Sequence, residues 1–198
     1  MKKKILILAG IIILVIAAVV CIWVKKNQTE KVYMSASWMC GYANVESLAE
    51  DSDLIALIHV NKLSKSIEGS IPASVYEATV MDGIWGCEKG ESLLIYMTGG
   101  KMGKQIFEVK SDPLMKKGQE FLIFARKNED GTYTVLGGPQ GRLVYNNGML
   151  NSLKNTDLPY ANTKNNMDSA EISKFDGLVN VQNESLEEIK EQIKQKIK

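Results

Sequence analysis

Apolar and polar positions alternate in three different ways along the chain. Residues 5–24, ILILAGIIILVIAAVVCIWV, form one unbroken apolar run between Lys2, Lys3 and Lys4 and Lys25 and Lys26. Twenty helical residues rise about 30 Å, the hydrocarbon thickness of a bilayer, so the run predicts one transmembrane helix. Beyond residue 45 the apolar stretches shorten to strand length. They fall at 53–60 (DLIALIHV), 74–85, 92–98 (SLLIYMT), 105–110 (QIFEVK), 120–127 (EFLIFARK), 132–136 and 142–145. In 74–85, Tyr76, Ala78, Val80 and Ile84 alternate with Glu77, Thr79 and Met81, the period of a half-buried strand. The run at 120–127 is continuously apolar and predicts a central strand. Connections at 99–103, 112–118, 128–131, 137–141 and 146–148 carry Gly, Asn or Pro. Short strands at this spacing argue for a barrel or sandwich rather than βαβ units.

Helical periods mark both flanks of the strand region. Asn44 or Ser47 is placed to cap a short helix through Leu48 and Ala49, with Glu46 and Glu50 beside them. Near the C-terminus, Ser185 and Glu188 fit a capping box, and Leu186, Ile189, Ile193 and Ile197 recur at three- to four-residue spacing. The expected organisation is an anchor at 1–26, a polar stalk at 27–44, a β domain at 45–150, a polar connection at 151–182 and an amphipathic helix at 183–198. Residues 151–166 read as a loop.

The apolar run admits three fates. A cleaved signal has a shorter apolar core and small residues at −3 and −1. The nearest such site, Ser35-Ala36-Ser37, lies beyond Lys25, Lys26, Glu30 and Lys31. A lipoprotein would use Cys21, but bulky Val20 precedes it and Ile22, Trp23 and Val24 continue the run. An uncleaved anchor fits best. Basic residues flank both ends, and a short basic stub before a first apolar run stays cytoplasmic, which puts residues 27–198 outside the cell membrane.

Charge narrows the partner classes. Of 24 basic residues, five flank the apolar run, leaving 19 against 23 acidic and a net charge of −4 for the remainder. Arg126 and Arg142 are the only arginines. A mildly acidic domain with scattered lysines lacks the electrostatic footprint of a nucleic-acid binder. Cys40 and Cys87 are the only cysteines outside the apolar run. In an oxidising compartment the pair invites a disulfide, and two separate small buried thiols are the other reading.

Three sequence fragments carry a resemblance. ESLAEDSDLIALIHV at 46–60, DPLMKKGQEFLIFARK at 112–127 and TVLGGPQGRLVY at 134–145 resemble an OB-fold group of exported proteins from Gram-positive bacteria. That group is similar in pattern to netrin-like and tissue-metalloproteinase-inhibitor domains. The resemblance covers roughly residues 40–146 and implies a five-stranded barrel-like β-core with helical additions. Such inhibitors clamp a metal through an N-terminal cysteine. Here Cys40 is internal unless cleavage occurs just before it, and Tyr42 replaces the second cysteine, so that activity does not transfer.

Catalytic patterns are sparse. His59 is the one histidine, set within an apolar strand, and reads as a half-buried structural residue. The segment 98–105, TGGKMGKQ, lacks the first glycine and final Ser or Thr of a phosphate loop. Neither 51–53 nor 128–131 has the spacing of a calcium loop. Six aromatics, Tyr76, Trp85, Tyr96, Phe107, Tyr133 and Tyr145, lie on expected strands, where stacking on bases or sugars competes with core packing. Trp38 and Trp85, each near a cysteine, are the best surface candidates. The sequence therefore predicts a non-enzymatic binding module on the outer membrane face, without cofactor or metal. The alternatives are an inhibitor of an extracellular peptidase, or a groove binder of oligosaccharide or nucleic acid.

Overall fold

The computed structural model describes residues 16–18, 23, 29–34, 41–153 and 179–196. Most of the apolar run, Trp38, Cys40, residues 154–178 and Ile197 lie outside the described residues. Among the described residues no helix is long and apolar enough to cross a membrane.

The molecule is mostly β-sheet with two short helices, as the strand-length runs imply. The strands are β1 (Glu30–Met34), β2 (Leu54–Ile67), β3 (Ala73–Trp85), β4 (Ser92–Thr98), β5 (Gly100–Met102) and β6 (Gln105–Val109). They continue as β7 (Glu120–Lys127), β8 (Tyr133–Val135), β9 (Arg142–Asn146), β10 (Met149–Ser152) and β11 (Gln182–Ser185). The helices are α1 (Val45–Glu50) and α2 (Leu186–Lys194), and a 3-10 turn at Gly138–Gly141 separates β8 from β9.

Eight strands run in the order β11-β10-β9-β7-β2-β3-β4-β8, and β8 also pairs with β7. That extra pairing closes a circuit of five strands, β2-β3-β4-β8-β7 and back to β2. Within the circuit only the β4–β8 contact is parallel. The outer edge of β7 is shared, its first half bonded to β9 and its last residues to β8. A separate three-stranded sheet, β1-β6-β5, has β1 parallel to β6.

Why β7 and the first half of β2 are apolar at consecutive positions follows from two cores. Leu54, Ala56, Ile58 and Val60 face one core with Phe121, Ile123 and Ala125. Ile55 and Leu57, with Leu122 and Phe124, face the other. A strand covered on both sides has no polar face to alternate. The first core fills the closed circuit with residues of β3 and β4, and Met115 joins it from the connection before β7. The second is made by α1 (Val45, Leu48, Ala49) and α2 (Ile189, Ile193) packed over β2 and β7.

Local chemistry explains both helices. Asn44 is the N-cap of α1, its side chain accepting from Ser47 N at 2.9 Å. Ser185 caps α2, and Glu188 Oε2 accepts from Ser185 N at 2.7 Å, closing the expected capping box.

Three features depart from simple alternation. Ile84 packs on the second core, not with Tyr76, Ala78 and Val80, because β3 carries extra residues opposite Ile55/Ala56 and Leu57/Ile58. Each such bulge shifts the pleat by one position. The segment expected as a stalk contains β1, and the polar region expected as a loop contributes Asn151 and Ser152 to β10.

Candidate functional site

Arg142 opens β9 with its side chain 1% exposed, an uncommon place for a guanidinium. Its Nη2 donates to Asp112 Oδ1 at 2.5 Å and to Pro113 O at 2.7 Å. Its plane lies over the Phe121 ring at 5.0 Å, and Nη1 approaches Met97 Sδ at 3.8 Å. Nε is buried with no protein partner. Burial pushes the Asp112 carboxyl above its ordinary range, and the Arg142 charge pulls it back. Beside this pair, buried Glu108 accepts from Leu114 N and from Lys31 Nζ, both at 2.9 Å.

Arg142, Glu108, Lys116, Gln119 and Phe121 line a cleft of about 280 Å³ including its open mouth. Its enclosed part has the room of about one water molecule. The arrangement holds the 108–115 segment across one end of the closed circuit, where Met115 and Phe121 belong to the same core. The role of the cluster is architectural.

The glycine-rich turn of the third sequence fragment is also structural. Gln140 is buried, and its Oε1 accepts from Tyr42 N at 2.7 Å. Tyr42 packs in the second core, its hydroxyl donating to Asp51 Oδ2 at 3.0 Å and its carbonyl accepting from Val179 N at 2.9 Å. The GGPQG turn thus ties down the chain two residues after Cys40.

The outward face of β2, β3, β4 and β8 is different. Cross-strand pairing lays out Glu120, His59, Thr79 and Ser92 in one row, then Lys62, Glu77 and Leu94, then Lys65, Val75, Tyr96 and Thr134. Neither core cluster includes any of these side chains. His59 Nδ1 lies 3.1 Å from Glu120 Oε1, Asn61 Nδ2 donates to Thr79 Oγ1 at 2.8 Å, and Lys62 Nζ lies 3.1 Å from Glu77 Oε2. Leu94 stands 40% exposed among them. Lysines and carboxylates alternate, so the face is close to neutral. It can accept a partner's surface by hydrogen bonds and one apolar contact, and it holds no nucleophile paired with His59.

The remaining expected residues fall as follows. Trp85 is 43% exposed at the end of β3, two residues from Cys87. The Cys87 thiol is half-buried and has no disulfide partner among the described residues. Burial, with the carboxylates of Glu91 and Asp82, pushes that thiol up to about 11, so it is protonated at neutral pH. Trp38 and Cys40 lie outside the described residues. Of the strand aromatics, Tyr76 is buried in the first core and Tyr133 packs against it, Tyr145 packs on the second, and Phe107 lies on β6. Tyr96 alone among them stands on the outward face. Among the described residues no cluster of His, Cys, Asp and Glu could hold a metal ion.

Sequence reasoning passed over Arg142, Asp112, Glu108, Lys31 and Gln140. One signal was available: a rare arginine opening the apolar segment RLVY has to be paired if the strand is buried. No protein-family description, curated protein or solved structure matches the chain.

Proposed function

We propose that the chain is a binding module of netrin-like OB type, held to the outer face of a cell membrane by the apolar run at its N-terminus. The closed five-strand circuit with one parallel contact supports the OB reading, since that fold is a five-stranded Greek-key barrel. Two helices packed on one side of the circuit agree with the netrin-like pattern.

One observation carries the functional part. The first half of β2 and most of β7 are covered on both faces, whereas His59, Lys62, Lys65, Glu77 and Leu94 on the outward side of β2, β3 and β4 enter neither core. OB-fold proteins use this surface for recognition. Its neutral mix of Lys62, Lys65, Glu77 and Glu120 around Leu94 suits a protein partner. Tyr96 is the one ring within these rows, and Trp85 stands apart at the end of β3, so the face makes a poor stacking platform for a glycan or a nucleic acid.

A footprint in intact cells tests this. Full-length protein carrying Leu94→Cys, and a control carrying Glu191→Cys on exposed α2, are treated with a membrane-impermeant maleimide, with the unsubstituted chain as background. The expected result is slower labelling of position 94 in cells than in purified protein, with position 191 unchanged. Equal rates at 94 overturn the docking face. Protection of both positions overturns the outward orientation.

A further inference from the structure

β1 is bound without belonging to a core. It pairs with β6 over five residues, Glu30↔Gln105 through Met34↔Val109, yet none of its side chains enters either hydrophobic cluster. Tyr33 is 53% exposed. Segments held by few buried apolar contacts open at the low end of a protein's stability range. What singles out this edge is Glu108. Its side chain is 5% exposed, and it accepts from Leu114 N and, among the described residues, from one ammonium, that of Lys31 on β1. When β1 leaves, β6 presents an unpaired edge and a buried carboxylate without its cation, both unfavourable. The vacated edge therefore selects an extended segment with an ammonium at the position of Lys31.

We propose that β6 is a strand-exchange site, at which β1 of a second copy of this chain replaces the resident β1 and joins two copies. The occupant is argued from fit: a second copy supplies the same five-residue register and the same lysine. The exchange is reciprocal, so each β6 receives the other's β1 and the pair closes on itself. The contacts made within and between copies are the same, so local concentration sets the balance. Here the inference rests on the membrane-held reading, because anchors confine the copies to one plane.

The test uses full-length chains of two tag lengths, co-reconstituted in vesicles. One carries the photo-crosslinker p-benzoylphenylalanine in place of exposed Tyr33, whose register partner is Glu108. The expected result is a cross-link between chains mapping to residues 105–109 of the unprobed copy. Adding Lys31→Glu to the probed chain should lower that product by at least about tenfold, the effect of a buried carboxylate losing its cation. Pairing it with Glu108→Lys in the other copy should restore the product. Should Glu108→Lys fail to fold, the loss caused by Lys31→Glu still decides. Vesicle flotation of the same samples separates the two ideas. Chains that float but cross-link only within themselves, or to residues elsewhere, overturn the exchange and leave the anchor standing. Chains that do not float overturn the membrane-held reading and the planar concentration on which exchange depends.

Discussion

At the residue scale the least tolerant position is the buried ion pair. Arg142 is fixed by Asp112, the Pro113 carbonyl and the Phe121 face, so truncating it strands a carboxylate in the interior. Arg142→Met is expected to lower unfolding free energy by about 3–5 kcal/mol, read from urea denaturation. Arg142→Met with Asp112→Asn should lose less, since no lone charge remains; an equal or larger loss would contradict this account. Cys87 supplies a second expectation. With its thiol pushed up to about 11, alkylation of the Cys87 peptide, followed by mass spectrometry, should be slow at neutral pH and accelerate towards pH 11. Labelling that appears only after reduction would instead report a bridge, with Cys40 the expected partner. Neither residue's environment was readable from the chain. A pattern shows that Arg142 begins an apolar segment, but its partner lies thirty positions earlier across a turn-rich connection.

Elements were more legible than residues. The apolar alternation and turn signals located six strands within a few positions and the first half of β2, because each owes its pattern to local periodicity. Continuous burial of 121–125 was readable for the same reason. β1, β5, β10, β11 and the β3 bulges were not. β1 pairs parallel with a strand more than seventy residues away, and a bulge is a property of two strands, not one. The α2 cap was legible because its donors and acceptors are three residues apart. It also makes a pH prediction. Hydrogen bonds from the Ser185 backbone and hydroxyl hold Glu188 below the usual carboxylate range. A depressed folded value contributes stability that is present above 4.5, the ordinary value, and lost as pH falls through the folded one. The protection factors of the α2 amides, taken relative to intrinsic exchange at each pH, should therefore fall in acid. Glu188→Gln should flatten that dependence, and an unchanged acid profile in the variant would refute the assignment.

For the whole molecule, ring closure is the property that no local pattern contains. It depends on β8 meeting both β4 and β7, with only two or three residue pairs on each side. Two of the fragments that carried the sequence resemblance meet in space, where Asp112 pairs with Arg142, and Gln140 of the third fragment ties down Tyr42. The proposed anchor belongs to this scale as well. Lys2, Lys3 and Lys4 compete with Lys25, Lys26 and Lys31 for the cytoplasmic side. The two clusters are equal in number, so orientation turns on the short N-terminal stub staying inside. A protease added to intact protoplasts should then degrade residues 27–198 and leave only a small membrane-embedded N-terminal fragment. Changing Lys2, Lys3 and Lys4 to Gln should shift part of the population to the protected, inverted form, because the remaining lysines then dominate. Full protection of the unsubstituted chain would place the β-sheet domain on the other side of the membrane, out of reach of any partner in the cell envelope.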